Sequence, residues 1–454
     1  MSWASREVKC GGFDDPRLDL RLVRMIEAMS NRPSCPPPEA FRDEAGLKGA
    51  YRFWNNPRVS PRGILAGHVD QTVQRAAKYP VVLAIQDTTE IDVTSRPSVR
   101  GVGYLASPKG RGLLLHSVFA VSPTGVPLGS LRQIVWSRPL KDLGKRHQRR
   151  KTPLKDKESR RWLHGLTAAA VALQNHPHTV VIGDRESDFF PLFAAPRRKN
   201  VDLLVRVTRE TRRVEHPTKY LGQALQQSPV QGAIEISLPR SGSHSARTAK
   251  LAVRWLSVEV HPPVNGPRGS SVKLQFLLVE EIDPPPGIRP IRWFLATTLP
   301  IENLQHALQY VQWYAFRWRI EQFHQVFKSG CRIEELQLES ADSIRRALAT
   351  HAIVAWRVLW LALQARETPD APCTVVLQQH EWQVLHAKLH QYKPIPAHPP
   401  TLREAVRMIA SLGGFLGRKG DGEPGPKTLW RGLRRLDDLA TAWCLAQLHT
   451  QDTC

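Results

Sequence analysis

Cysteine is scarce in this chain, and where it occurs it stands alone. The six residues Cys10, Cys35, Cys331, Cys373, Cys444 and Cys454 include no C-x-x-C pair and have no histidine cluster beside them. That pattern speaks against a zinc site and against a disulfide framework. A catalytic metal, if there is one, is then held by oxygen ligands. Acidic residues are also short: 41 Asp and Glu face 64 Lys and Arg, for a net charge of +23. A chain with that excess is expected to meet a polyanion, with nucleic acid as the first expectation. Long apolar runs are missing too. None reaches the roughly 20 residues a membrane span needs, and the longest candidate, residues 351–365, is interrupted by Arg357. The N-terminus carries no apolar signal core. The expectation is a cytosolic protein with no membrane partner and no internal repeat.

What is present is ordinary globular composition, 41% hydrophobic and 23% charged, over 454 residues. That length allows two or three domains. Residues 16–31 read as an amphipathic helix, with Leu18, Leu22, Met25, Ile26 and Met29 at helical spacing. Arg17, Arg21 and Arg24 repeat on another face, and a second predicted helix, 38–54, ends near Arg52 and Arg58. Such a row of arginines suits a solvated face or phosphate contacts along a duplex. From Val81 the pattern becomes α/β. The apolar run 81–85 reads as a strand buried on both faces and ends in Gln86-Asp87-Thr88-Thr89. Residues 113–121 and 126–135 read as a strand pair. The segment 141–161 carries ten Lys or Arg against three acids and leads into a helix predicted from about 156. The run 179–183 is a second buried strand ending at Asp184, with a helix expected after Asp188, and 201–207 is a third strand. Alternation at 233–238, 250–260 and 272–279, separated by turns such as Ser241-Gly242-Ser243, predicts an all-β insertion over 208–292. Beyond residue 367 the chain reads as helices.

The most informative stretch is residues 314–328, predicted as one continuous helix with the run before it. At 100° per residue, Arg317, Glu321 and Lys328 lie at about 300°, 340° and 320° from Tyr314. The four share one face. A carboxylate between two cations and a phenol suits either a ladder of surface ion pairs or a site for a metal ion and phosphates. Asp87 and Asp184 stand at the C-terminal ends of buried strands, where α/β sheets place functional groups. Each could instead cap a turn or pair with a neighbour such as Arg185. Together with Glu321 they could hold two hard divalent ions.

Taken together, these residues resemble the DDE transposases of the insertion-sequence class with the signature Tyr-x2-Arg-x3-Glu-x6-Lys, matched at Tyr314, Arg317, Glu321 and Lys328. The first aspartate matches within Ile85-Gln86-Asp87-Thr88-Thr89 and the second within Asp184-Arg185-Glu186-Ser187-Asp188. The likeness extends to Tyr51-Arg52-Phe53, to residues 110–117, and to Leu412-Gly413-Gly414-Phe415. It implies an α/β fold with a ribonuclease-H-like catalytic core interrupted by the β insertion, flanked by helical N- and C-terminal domains. The implied division is a DNA-binding domain over 1–70, a catalytic domain over 71–367 and a dimerisation domain over 368–454. It implies cut-and-paste chemistry with Mg²⁺, or Mn²⁺, at two ions per active site. One strand is nicked at the transposon end, the freed 3′-OH forms a hairpin, the hairpin is opened, and the end is joined to target DNA. Asp87, Asp184 and Glu321 are the implied catalytic metal ligands, and Tyr314, Arg317, Lys328 and Arg206 the implied phosphate contacts. From the residues alone Trp293 reads as a core aromatic beside Ile291 and Leu295; the resemblance reverses that, because Trp293, 21 residues before Tyr314, matches a tryptophan that stacks a flipped base. Trp318 is a second candidate, better read as buried behind the motif. His324 fits the family pattern in either a packed or a phosphate-side role. The implied partners are double-stranded DNA, as terminal repeats and target, and a second copy of the chain, in a bacterial nucleoid. A nuclease of the same core that transfers nothing, and a DNA-binding relative without catalysis, are the competing readings.

Overall fold

The computed structural model describes residues 2–8, 12–107, 109–144, 152–238, 247–264, 269–288, 290–391 and 393–451. The middle of the basic run, 145–151, and the turn at 241–243 lie outside the described residues. In chain order the elements are α1 (Trp3–Val8), α2 (Pro16–Asn31), α3 (Pro37–Phe41), α4 (Glu44–Asn55), α5 (Pro61–Ala76), β1 (Val82–Asp92), β2 (Gly103–Tyr104), β3 (Arg111–Val121), β4 (Pro127–Trp136), α6 (Arg160–Ala172), β5 (Thr179–Gly183), α7 (Phe190–Phe193), β6 (Val201–Arg206), α8 (Leu221–Gln227), β7 (Gly232–Leu238), β8 (Arg247–Val260), β9 (Val272–Glu281), β10 (Arg292–Thr297), α9 (Leu304–Ala315), α10 (Trp318–Gln325), α11 (Ala341–Glu367), α12 (Gln379–Leu389), α13 (Leu402–Leu412) and α14 (Pro426–Gln451). They form two compact units: Met1–Lys78 with Thr88–Arg149 and Arg319–Cys454, and Tyr79–Asp87 with Arg150–Trp318.

In the first unit, β3 is buried along almost its whole length. β4 and β2 pair with it antiparallel. The long helix α11 supplies much of the core, with Ala347, Leu348, Ala352 and Ile353 fully buried. It is the one helix among the described residues long and apolar enough to cross a membrane, and 89% of that stretch is buried inside the fold. Trp54 of α4 donates its indole N–H to Thr350 (3.2 Å) and stacks on His351. The short α1 is held by a buried polar cluster. The Ser130 N–H donates to His68 Nε2 (2.9 Å), so Nδ1 carries the proton and donates to Glu7 (2.6 Å). Arg75 donates twice more to the same carboxylate. Burial would raise the Glu7 carboxyl, but His68 and Arg75 outweigh it and hold it down at about 2. Near the C-terminus, α13 and α14 approach closely through Gly432, where a Cβ would lie 1.9 Å from the Ile409 carbonyl.

The second unit is a seven-strand sheet in the order β1, β5, β6, β10, β9, β8, β7. β1, β5 and β6 are parallel, and the rest run antiparallel. The apolar runs at 81–85 and 179–183 are strands, buried as their composition requires. The segment 208–292 extends this same sheet and also carries α8, so the expectation of an all-β insertion is corrected. Leu221, Ala224 and Leu225 bury one side of that helix.

Three helix boundaries also differ from the periodic reading. The predicted helix over 38–54 is two, because Arg42 takes a left-handed conformation (φ 60°) and Asp43 restarts the chain by accepting the Gly46 N–H. The helix expected from about 156 begins at Arg160. The continuous helix expected through 314–328 is broken. The Phe316 and Arg317 N–H groups turn back to Trp313 and Tyr314, three residues earlier, which tightens the end of α9. After α10 the backbone widens into a π-turn over Val326–Gly330, closed by the Cys331 N–H on the Val326 carbonyl.

His324 and His351 of the first unit are buried and neutral, as His68 is. Burial pushes His324 down to about 3 and His351 down to about 4. Between pH 6.5 and 4 the unfolded chain therefore binds two protons, at His324 and His351, that the fold refuses, so stability falls as pH drops. Each group contributes about 1.4 kcal/mol per pH unit. Replacing His324 by Asn is expected to reduce the pH slope of the urea unfolding free energy over this window by about that amount. An unchanged slope contradicts the assignment.

Candidate active site

Strand register places the site in the second unit. β1 and β5 pair Val82 with Thr179 through Ile85 with Ile182. Asp87 and Asp184 each follow two residues beyond the last of these pairs; Asp184 stands just past β5, but β1 continues through Asp87 to Asp92, which corrects the expectation that the first strand ends at Asp87. β5 and β6 pair Gly183 with Val205, which brings Arg206 level with Asp184. Across β6, Arg206 pairs with Leu295 of β10, and Trp293 lies two residues further along that strand. Two acids, a guanidinium and an indole thus follow one another across four strands. The first helix after the basic run reaches this edge as well. Gly165 of α6 lies so close to Gln86 that a Cβ would meet its amide oxygen at 2.1 Å.

Asp184 caps a short turn. Its carboxylate accepts the Glu186 N–H (2.8 Å), and its carbonyl accepts the Ser187 hydroxyl (2.6 Å). Burial raises its pKa, and the Glu186 charge adds to this; the Glu186 N–H and the cations Arg317 and Arg161 act the other way. Tyr314 is buried, and burial raises its phenol against the pull of Arg317 and Arg206. Arg206 is hydrogen-bonded to Tyr314 and also donates to the Arg292 carbonyl (3.3 Å). Burial lowers the Arg206 pKa, and Arg185 and Arg317 push it the same way. Trp293 is half-buried, its ring edge-to-face with Tyr314 at 6.2 Å between centroids. The acids, cations and aromatics around Asp184 therefore form one electrostatically coupled group, with Arg206 and Arg317 close enough to oppose each other's charge.

The remaining signature residues lie in the first unit. Glu321 is half-buried in the first turn of α10. Lys328 sits in the π-turn and pairs with Glu334 at 3.0 Å. Among the described residues no group of three His, Cys, Asp or Glu side chains is gathered closely enough to hold a metal ion. The donor chemistry nonetheless suits hard cations, since Asp87, Asp184 and Glu321 offer oxygen alone.

Three family models match the chain. A transposase DNA-binding model covers residues 1–59, a transposase DDE-domain model covers 147–357, and a Tn5 transposase dimerisation-domain model covers 353–447. The chain is a DDE transposase. The DDE match takes in Asp184 and Glu321 and begins after Asp87. The transposase is a metal-dependent enzyme that cleaves and transfers DNA. It has a ribonuclease-H-like core, binds DNA and forms a dimer.

Within the transposase, two aromatic or basic candidates have places that the sequence left open or misjudged. Trp318 is 57% exposed, which corrects its reading as a residue buried behind the motif. His324 is packed: it is buried, with Nε2 3.1 Å from the Ser117 hydroxyl. In the DNA-binding region, Arg17, Arg21 and Arg52 line a groove of about 490 Å³ together with Lys48, a residue the periodic reading missed. Arg24 and Arg58 are exposed. The Arg21 guanidinium lies directly over Gly49, where a Cβ would come within 2.2 Å of it.

Asp188, the last residue of the second aspartate motif, has a structural task. Its fully buried carboxylate accepts the Thr208 N–H (2.8 Å), the Thr208 hydroxyl (3.0 Å) and the Arg209 N–H (3.0 Å), and pairs with Arg212. It fastens the loop after β6 and leaves Arg209 exposed. Nothing in the spacing of the motif distinguishes this acid from a ligand; the signal lies in the loop it binds. Asp188→Ala strands the Arg212 charge and two backbone donors, and is expected to cost about 3–5 kcal/mol. The double variant Asp188→Ala/Arg212→Met is expected to regain part of that loss in chemical denaturation. A double variant no more stable than the single one contradicts this account.

Proposed function

We propose that the enzyme is a cut-and-paste transposase. In this reading it binds the terminal repeats of its own element as a dimer and nicks one strand. It then passes through a hairpin and joins the freed 3′-OH to target double-stranded DNA in the bacterial nucleoid. Within the class it resembles the transposase of the kanamycin-resistance composite transposon. Residues 1–70 bind the ends, 71–367 catalyse and 368–454 dimerise, the outer two parts being helical domains around the core. The observation that carries the reading is the line of Asp87, Asp184 and Arg206 at matching positions across β1, β5 and β6, with Tyr314, Arg317 and Trp293 grouped beside Asp184.

Asp87, Asp184 and Glu321 are the catalytic carboxylates and hold two Mg²⁺ ions, with Mn²⁺ an effective substitute. Ions held there supply Lewis acidity to the attacking and leaving oxygens of an in-line displacement at phosphorus. Three carboxylates repel one another without cations, so their gathering depends on the ions and on the cationic side chains. Arg206 and Arg317 receive the non-bridging oxygens of the scissile phosphate, where paired donors on a planar guanidinium match phosphate geometry. The Tyr314 phenol steadies Arg206. Lys328 contacts a neighbouring phosphate as a point charge. Trp293, half-exposed at the rim, offers its face to the base that must leave the stack for a tight hairpin to form. His324 serves the packing of α10 against β3 through Ser117. Arg17, Arg21, Arg24, Arg52 and Arg58 contact the backbone of the end duplex, giving affinity without sequence information.

The raised Asp184 pKa has a consequence for the metal: protons compete with it at a higher pH than at an unperturbed aspartate, so activity is lost sooner on acidification. Glu321→Gln is expected to abolish Mg²⁺-dependent end cleavage while leaving binding to the ends within about twofold. Cleavage at the wild-type rate by this variant sinks the proposal. Hairpin-ended products in the wild-type reaction separate it from a nuclease that only hydrolyses.

A further inference from the structure

Lys328 is held in place by a carboxylate that the signature does not include. Its ammonium lies 3.0 Å from Glu334 Oε1, and the same oxygen accepts the backbone N–H of Asp92, the last residue of β1, at 2.9 Å. The Glu334 carbonyl in turn accepts from the Arg96 guanidinium at 2.8 Å. The acid is therefore fixed at both its side chain and its backbone. Lys328 and Glu334 each remain about 30% exposed, so the pair itself adds little to stability. Its value lies in geometry. A lysine has a flexible four-carbon stem and three donors on its ammonium. One donor engaged by a fixed carboxylate locates the charge and leaves two for another acceptor.

We propose that Glu334 is a positioning residue for phosphoryl transfer: it holds the Lys328 ammonium at a set place so that the two remaining N–H donors meet a DNA phosphate. The inference rests on the reading of Lys328 as a phosphate contact. The ordering of the lysine is completed before DNA arrives. Losing it costs rate, because the contact matters most when the scissile phosphate must be aligned.

Glu334→Gln separates this role from a structural one. The glutamine amide oxygen still accepts the Asp92 N–H, but it carries no charge to hold the ammonium. In single-turnover cleavage of end DNA by the full chain with Mg²⁺, Glu334→Gln is expected to slow cleavage by about three- to thirtyfold, the freedom of one lysine side chain. Its affinity for the ends and its melting temperature are expected to match wild type. Lys328→Ala is expected to slow cleavage, and Lys328→Ala/Glu334→Gln to be no slower than Lys328→Ala. If Glu334→Gln cleaves at the wild-type rate, or its loss persists undiminished in the Lys328→Ala background, the inference is overturned while the reading of Lys328 stands. If Lys328→Ala itself cleaves at the wild-type rate, both fall.

Discussion

The parallel pairing of β1 with β5, Val82 to Ile85 against Thr179 to Ile182, is the constraint on which the site depends. Parallel strands in register carry matching residues level with one another, so Asp87 within β1 lies level with Asp184 just past β5. The pairing of β5 with β6 then adds Arg206, and the antiparallel return of β10 adds Trp293. A slip of one residue in any of these registers would turn the next side chain to the other face of the sheet. Buried Val, Leu and Ile side chains on both faces make such a slip costly, which is how an apolar run comes to fix the place of an aspartate.

The electrostatics around Asp184 follow from that placement. Its carboxylate is partly desolvated and answers to Arg317 and Arg161. Arg206, Arg317 and Arg185 oppose one another in the same neighbourhood. Crowded cations beside a partly desolvated acid are poor design for a folded protein alone, and suit one that completes its charge balance with phosphates and divalent ions. The excess of 64 bases over 41 acids is the same statement made at the scale of the whole chain.

Much of this was legible in the sequence. The buried strands leading to Asp87 and Asp184 needed only their apolar runs, though β1 runs on past Asp87 to Asp92, and α2 needed only the spacing of its leucines and methionines. The helix carrying the signature was less legible. Periodicity assumes one winding throughout, and nothing in Tyr314 to Lys328 announces the tightening at Phe316 and Arg317 or the widening at Val326; both are settled by where individual backbone N–H groups find acceptors. Arg42 hid the break between α3 and α4 because a left-handed arginine has no sequence signature. Trp318 was misjudged because a tryptophan amid buried neighbours reads as core, while the turn before it swings it outward. Asp188 and Glu334 were passed over because each acts through a partner distant in sequence: Asp188 through the 208–212 loop, and Glu334 through the end of β1.

The central claim is that Asp87, Asp184 and Glu321 hold the same divalent ions when DNA is bound. Replacing those ions with Fe²⁺ and adding ascorbate and peroxide generates hydroxyl radicals at the bound iron, which cut the protein backbone nearby. With end DNA bound, the account predicts three sets of cuts, near residues 87, 184 and 321, all suppressed by excess Mg²⁺. Cuts that omit one of the three positions, or that persist under excess Mg²⁺, contradict it.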